Sequence, residues 1–382
     1  MKLSTDRILT THVGSLPRDP KVAEMLLAVS RGESVDSLLF DIEVGRAVSE
    51  VVAKQVASGI DVASDGEMSK LSYSTYITDR LTGFGGSTER KPNLDVAPYP
   101  EFREKMSRMT GPQAIARAAC IGPIQVKDRQ RLVKDLQNLR VAADAASLEE
   151  VFMTAASPGV ISVFQPNQYY SSHEKYIEAL ANVMKEEYEA IVGAGFLLQV
   201  DCPDLAMAHH TAFQDLPEDD FLKRAEGQVE ALNYALTNVP AASTRLHVCW
   251  GNYEGPHVND IPVEKIMPIL MKAKPQAYQF EASNPRHAHE WKVWRDAKIP
   301  DDVVLIPGVL DSTSNFVEHP ELVAQRIEQF TEIVGRDRVL AGTDCGFGTF
   351  AGFGKMDPGI VFKKLESMAE GAAIASDRLW KK

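Results

Sequence analysis

The sequence predicts an α/β fold, a TIM-type (β/α)8 barrel with a short polar excursion after the second strand. Strand-like and helix-like stretches alternate along all 382 residues, as expected for parallel strands joined by crossover helices. Polar and ligand-type residues follow the strand-like stretches throughout the chain, which favours a barrel because an open sheet would concentrate them at one switch point. We expect residues 1–382 to form a single barrel domain, with the excursion at about residues 83–111.

Nine apolar stretches are candidate strands, one more than an eight-stranded barrel needs, so one of them is expected to be an extra or broken strand. They are Ile8–Arg18, Ile60–Glu67, Ala118–Val126, Val160–Pro166, Phe196–Pro203, Arg245–Gly251, Ala277–Ser283, Val303–Asp311 and Val339–Gly346. Apolar residues at helical spacing predict helices at about Leu38–Ser58, Glu174–Val192, Phe221–Leu236, Val263–Lys272, Glu321–Val334 and Ile360–Leu379.

Composition limits the class of partner. A hydrophobic fraction of 44% and a charged fraction of 25% are typical of a globular protein with an ample core. The net charge of −12, without basic clusters interleaved with aromatic residues, argues against nucleic acid and anionic membranes and favours small molecules. The N-terminus lacks an apolar signal region, so we expect a cytoplasmic protein, and the four cysteines are expected to be thiols or ligands instead of disulfides.

The strongest local pattern is His247-Val-Cys249 in a strand-like run. Residues two apart on a strand point to the same face, so an imidazole and a thiol would project side by side. Glu281 and Cys345 each end a later strand-like run, and one His, two Cys and one Glu form a plausible tetrahedral Zn²⁺ set. A His-x-Cys pair alone is more often a satisfied histidine beside an inert core thiol; three successive strands ending in ligand types favour the metal.

Together these strand ends resemble the catalytic domain of the cobalamin-independent methionine synthases, from about Ile8 to Gly348. The motifs that carry the resemblance are Thr10-Thr-His-Val-Gly-Ser-Leu-Pro17, Asp65-Gly-Glu67, Gln199-Val-Asp-Cys-Pro203, His247-Val-Cys249, Phe280-Glu281, Pro307-Gly-Val-Leu-Asp311 and Asp344-Cys-Gly346. The chain is similar to one of the two barrels of the long enzymes, and so looks like the short, single-barrel branch of that family.

The resemblance implies a zinc-dependent methyltransferase that moves a methyl group to the thiol of homocysteine and gives methionine. Zinc would be held by the residues matching His247, Cys249, Glu281 and Cys345. Residues matching Ser15, Glu67 and Asp201 would bind the amino and carboxylate groups of homocysteine. The two acids could equally be ordinary barrel-mouth carboxylates in ion pairs.

The methyl donor stays open, because the chain has Asp201-Cys-Pro203 and Thr313 where that family usually has Asp-Glu-Pro and a histidine. Histidines at 12, 209 and 210 are candidates for the missing general acid. An activated methyl group, for example one on a corrinoid methyl-donor protein, would need no such acid.

Two other functions fit the same metal site. The first is zinc-dependent addition of a thiol to an epoxide or another electrophile, as in coenzyme M transferases of the same branch. Against it, Glu67 and Asp201 would repel a sulfonate thiol that lacks an ammonium group. The second is a non-catalytic barrel in which the metal is structural.

Overall fold

The computed structural model describes residues 1–89, 91–110, 117–352 and 356–381. Within these ranges the strands are β1 (Leu9–Thr10), β2 (Val62–Ser64), β3 (Phe84–Gly85), β4 (Ala119–Cys120), β5 (Glu150–Ala156), β6 (Leu197–Asp201), β7 (Thr244–His247), β8 (Ala277–Phe280), β9 (Val304–Leu310) and β10 (Leu340–Thr343). Eight of them form one parallel sheet in the order β1-β10-β9-β8-β7-β6-β5-β2. A parallel bridge between Thr11 and Val62 joins its two edges, and the predicted TIM-type barrel is confirmed.

The helices are α1 (Pro20–Ser30), α2 (Ser37–Ala57), α3 (Tyr76–Arg80), α4 (Pro100–Thr110), α5 (Gln130–Asp144), α6 (Pro158–Phe164), α7 (His173–Gly193), α8 (Glu218–Ala235), α9 (Val263–Leu270), α10 (Trp291–Asp296), α11 (Pro320–Val334) and α12 (Pro358–Trp380). Side chains cap several starts: Asp36 accepts hydrogen bonds from the backbone amides of Leu38 and Leu39, which begins α2. Among the described residues, no helix has the length and apolarity needed to cross a membrane.

One strand prediction is wrong, and a second candidate is the extra strand that was expected besides the eight of the barrel. The run Val160–Pro166 lies in helix α6, because the Ser157 hydroxyl accepts a hydrogen bond from the Val160 amide and Pro158 occupies the first turn. The barrel strand in this region is β5, which the sequence analysis missed. Of Ala118–Val126, the β4 residues pair antiparallel with β3 outside the barrel, so seven of the nine candidates contribute barrel strands.

The predicted excursion leaves the barrel after β2 and returns to it. Within residues 83–111 the structure describes β3, α4 and the turns between them, while Arg90 and Gly111 lie outside the described residues. Part of the segment packs back onto the barrel loops: the amide of Leu94 donates to the carbonyl of His210, and Asp95 accepts from Asn259. The single-domain organisation stays a prediction.

The barrel interior changes from apolar to polar along its axis. A buried apolar layer is built from seven of the eight barrel strands, by Leu9, Val62, Phe152, Leu197, Ala277, Val304, Ile306 and Leu340. Above it lies Arg245, fully buried, whose guanidinium stacks 4.0 Å over the Phe152 ring and donates to the Thr11 hydroxyl at 2.9 Å. Burial lowers the pKa of Arg245 to about 9. This polar layer separates the apolar core from the side chains at the strand ends.

We predict that Gly308→Ala destabilises the protein by about 1–3 kcal/mol, the usual cost of overpacking. A methyl group on Gly308 of β9 would lie 2.1 Å from Asp344 Oδ1 and 2.6 Å from the Asp344 amide nitrogen. The control is Gly227→Ala on the exposed face of α8, where a methyl group meets nothing within 4 Å and should be neutral or stabilise the helix by up to about 1 kcal/mol. Equal free energies of unfolding in urea for both variants would contradict the packing argument.

Candidate active site

A cavity of about 300 Å³ lies where the barrel strands end. Its polar walls come from residues that end or directly follow strands, the position at which TIM-type barrels hold their active sites. They include Ser15 after β1, Glu67 after β2, Asp201 and His247 at the ends of β6 and β7, Cys249 just beyond β7, Ser312 and Thr313 after β9, and Cys345 after β10.

The structure brings His247, Cys249 and Cys345 together. One ligand atom of each lies within 4.8 Å of the other two, and all three side chains are buried. The two sulfur atoms are 3.1 Å apart, and both cysteines are free thiols. Cys249 and Cys345 are 96 positions apart in sequence, and they meet because β7 and β10 end at the same rim of the barrel.

Glu281 lies next to this group. Its Oε1 is 3.6 Å from the Cys345 sulfur and accepts a hydrogen bond from the Trp250 amide at 2.8 Å, while its Oε2 accepts from the Asn284 side chain at 2.7 Å. These two bonds fix the orientation of the carboxylate, as the hydrogen-bonded carboxylates around protein metal sites are fixed.

The His247 ring has one free nitrogen. Its Nδ1 lies 3.2 Å from Asp201 Oδ1, whereas its Nε2 is buried and has no hydrogen-bond partner. A buried polar atom without a partner costs about 1–3 kcal/mol, and coordination to a metal is one way to recover that cost. A carboxylate on one ring nitrogen is the usual companion of a metal on the other, so these residues fit a metal ion with thiolate and imidazole ligands.

The two thiols are protonated in the metal-free protein. The Cys345 contact lowers the pKa of Cys249, but burial and the negative charge of Glu281 outweigh it, so that the pKa is raised. The contact with Cys249, together with burial, raises the pKa of Cys345 well above its ordinary value. A cation at this position would reverse the balance, because thiols that coordinate a metal are deprotonated.

Ser15, Glu67 and Asp201, the residues predicted to bind substrate, all line the same cavity. Glu67 has a left-handed backbone, with φ of +58°, and its carboxylate accepts from the Thr154 hydroxyl at 2.9 Å and from Arg18 Nη2 at 3.1 Å. Burial raises the pKa of Glu67, which the nearby Lys70 and Arg18 oppose. The acid is therefore already part of an ion pair and also faces the cavity.

The three histidines considered as general acids do not line the cavity. His12 is fully buried beneath it, with Nε2 2.7 Å from Gln55 Oε1 and Nδ1 accepting from the Gly14 amide. His209 Nδ1 lies 3.3 Å from the Asn259 carbonyl, and His210 belongs to a separate buried cluster. Their role as general acids stays a prediction.

The sequence analysis missed Arg18 and the residues that loops bring to the cavity. Tyr73, Asn252 and Tyr253 lie in the wall, and Asn252 Nδ2 donates to the Gly346 carbonyl at 2.6 Å. They follow no periodic pattern, so no sequence signal would have found them. The buried carboxylate of Glu67 did imply a cationic partner, which is Arg18.

Fold and cavity define a (β/α)8 barrel with a thiol and imidazole site at its strand ends, and comparisons with known proteins refine this class. No protein-family model matches the chain. It is 26% identical over 377 residues to a methionine synthase of Sulfolobus acidocaldarius, covering 98% of this chain and 94% of that protein. It is 24% identical over 385 residues to a methionine synthase of Saccharolobus solfataricus, covering 98% and 96%.

Two solved structures are similar in fold. A B12-independent methionine synthase from Shewanella sp. W3-18-1, in complex with selenomethionine, has a TM-score of 0.74 at 18% identity, covering 98% of this chain and 100% of that chain. A putative B12-independent methionine synthase from Listeria monocytogenes has a TM-score of 0.64 at 16% identity, with the same coverage. The resemblance to the cobalamin-independent methionine synthases is confirmed. The comparisons do not support a corrinoid methyl-donor protein as a partner.

We predict that Arg18→Lys destabilises the protein by about 1–3 kcal/mol, the usual cost of leaving a buried hydrogen-bonding group without a partner. An ammonium group cannot reproduce the planar set of hydrogen bonds that the guanidinium makes to Glu67 and the surrounding carbonyl groups. The control is Arg46→Lys, whose exposed ion pairs with Glu43 and Glu50 should be worth at most about 1 kcal/mol. Urea unfolding measures the free energy of unfolding of both variants. Similar losses would show that Arg18 contributes no more to stability than an exposed arginine.

Proposed function

We propose that this protein transfers a methyl group to the thiol of homocysteine and gives methionine, with Zn²⁺ held by His247, Cys249, Glu281 and Cys345. The observation that carries the proposal is the free, buried Nε2 of His247 beside two thiols, in the wall of a cavity that also presents Ser15, Glu67 and Asp201. The methionine synthases of similar sequence support the same activity.

Zinc would supply one thing, a substrate thiol that is deprotonated at neutral pH and still nucleophilic. The protein side chains prepare this position. Asp201 accepts from the His247 ring at Nδ1, which leaves Nε2 as the nitrogen available to a metal, and the Gly251 amide donates to the Cys249 sulfur at 3.2 Å. Both contacts hold ligand atoms in place before substrate arrives, which lowers the cost of organising the site.

The amino-acid part of the substrate has charged partners within the same cavity. An α-ammonium group can pair with the carboxyl groups of Glu67 and Asp201, and the Ser15 hydroxyl can donate to an α-carboxylate. Burial strengthens such contacts because the surrounding dielectric is low. These acids also disfavour the alternative substrate, a sulfonate thiol that adds to an epoxide, since it brings negative charge without an ammonium group.

The residue at position 313 bears on the choice of methyl donor. Thr313, which lies where the resembling family usually has a histidine, donates its hydroxyl to Asp311 Oδ1 at 2.7 Å. A threonine hydroxyl cannot act as an acid at neutral pH, so Thr313 does not replace that histidine. A donor whose leaving group needs protonation would require an acid from elsewhere in the site.

We predict that Cys249→Ser and Cys345→Ser each lose the zinc ion held at this site, because a serine hydroxyl is a much weaker ligand than a thiolate. Zinc per chain is measured by mass spectrometry after dialysis against a weak chelator. The control is Cys120→Ser, a buried thiol on β4 outside the barrel, which should keep full zinc content. Full occupancy in both ligand variants would refute the metal site.

We predict that Glu67→Gln and Asp201→Asn each weaken homocysteine binding by about 1.5–3 kcal/mol, the value of a charge-assisted hydrogen bond. Binding of 4-mercaptobutyrate, which lacks the amino group, should change much less. Calorimetry on the zinc-loaded protein measures both thiols. Asp61→Asn serves as the control, since Asp61 pairs with Arg7 at the opposite end of β2. If both thiols weakened equally, the two acids would serve the fold and not the substrate.

A further inference from the structure

A second group of metal-ligand side chains lies outside the cavity wall. One ligand atom each of Asp95, His210 and Asp260 falls within 4.8 Å of the other two, and all three residues are buried. We call this the Asp95–His210–Asp260 cluster. Its members come from the excursion, from a 3₁₀ turn after β6 and from the long loop after β7, so it joins three segments that are far apart in sequence.

The cluster contains buried polar atoms without partners. His210 is completely buried, and neither of its ring nitrogens makes a hydrogen bond. Its Nδ1 lies 3.2 Å from Asp260 Oδ1, but that oxygen also lacks a hydrogen bond, so the two atoms face each other without bonding. A buried imidazole and a buried carboxylate oxygen in this state are costly unless a third group satisfies both.

The other oxygen of Asp260 is firmly held. Its Oδ2 lies 2.9 Å from His257 Nδ1 and 3.0 Å from His287 Nε2, while the second nitrogen of His287 is 2.7 Å from Glu290. His287 thus bridges Asp260 and Glu290 and orients both carboxylates. This leaves Oδ1 as the free oxygen of Asp260, beside the unpaired ring of His210.

The cluster brings several carboxyl groups and imidazole rings together. The carboxyl groups of Asp260 and Glu290 lie against the rings of His210, His257 and His287. The hydroxyl of Tyr253 donates to Asp95 Oδ2 at 3.2 Å, and the amide and side chain of Asn259 donate to Asp95 Oδ1.

We propose that the Asp95–His210–Asp260 cluster is a second metal site, which binds a divalent first-row transition ion such as Zn²⁺ or Mn²⁺ through one imidazole and two carboxylates. Nitrogen and oxygen ligands without a thiolate suit these ions. Hydrogen-bonded partners of the ligands, such as His287 and Tyr253, are typical of the outer shell of metal sites. The proposal does not depend on the methyltransferase activity.

This second ion would stabilise one wall of the active-site cavity. Asn93 and Tyr253 both line the cavity, and Asn93 Nδ2 donates to the Tyr253 hydroxyl at 3.3 Å. Asp95 therefore sits two residues from one wall residue and hydrogen-bonds to the other. A metal ion bound by Asp95 and by Asp260 fastens the excursion to the loop after β7, and so fixes these two side chains.

The test counts metal ions in the intact protein and in variants of either site, after equilibrium dialysis against Zn²⁺ or Mn²⁺ alone. We expect about two ions per chain in the unaltered protein with Zn²⁺, and about one in the double variant Cys249→Ser, Cys345→Ser. Asp95→Asn should lose the second ion and keep the first. This substitution is mild, since the asparagine oxygen can still accept from Asn259.

Two further variants complete the design. His210→Gln removes the imidazole and should also lose the second ion, while Asp135→Asn, a buried acid hydrogen-bonded to Tyr76, should keep both ions. The unaltered protein could also bind only one ion. If Asp95→Asn then abolished its binding and the cysteine substitutions did not, the result would support this site and refute the zinc–thiolate site. Equal metal content in Asp95→Asn and the unaltered protein, with both ions tested, would overturn the proposal.

Discussion

The guanidinium group of Arg18 is the contact on which the active-site end of the barrel depends. It donates to four carbonyl oxygens, those of Lys70, Leu16, Gly66 and Gly348, at 2.8–3.1 Å, and to the carboxylate of Glu67. The loops after β1, β2 and β10 are thereby held by one buried cation. Those loops carry Ser15, Glu67 and Cys345, so the relative positions of the proposed substrate and metal contacts follow from it. A planar group with five donors suits this position, whereas an ammonium group could reach only part of it.

Burying a polar group without a hydrogen bond is costly, and many of the polar side chains around the cavity have partners. Gln199 donates to Asp201 at 2.8 Å, Asp201 orients His247, and Glu281 accepts from Trp250 and Asn284. The buried polar atoms without a hydrogen-bond partner therefore point to positions where a ligand could bind. The free nitrogen of His247 and the two free nitrogens of His210 lie in the two groups whose ligand atoms converge within 4.8 Å. Convergence and lack of partners together distinguish a potential ligand from a core histidine such as His12, which is equally buried but bonded at both nitrogens.

Much of the fold and part of the site could be predicted from the sequence because parallel strands end at one rim. Cys249 and Cys345 could be placed together from strand ends alone, since each follows an apolar run and precedes a turn. The strand at residues 150–156 and the helix at residues 158–164 could not be predicted in this way. Val160, Ile161 and Val163 are β-branched residues in a fully buried helix, where periodicity carries no signal. The contacts of Asp95 and Arg18 could not be predicted either, because their partners are distant in sequence and neither residue lies in a local pattern.

Trp250 connects the two groups of ligands. Its amide donates to Glu281 at 2.8 Å, and its ring lies against the His287 ring with centroids 4.4 Å apart, while its indole nitrogen is fixed by the Ile261 carbonyl at 2.6 Å. The side chain is fully buried and cannot shift without disturbing either neighbour, because protein interiors are close-packed. The position of the Glu281 carboxylate beside the thiols is thus tied to the ring of His287, which also contacts Asp260. Trp250, in the loop after β7, therefore links the thiol site, through Glu281, to the carboxylate–imidazole cluster, through His287.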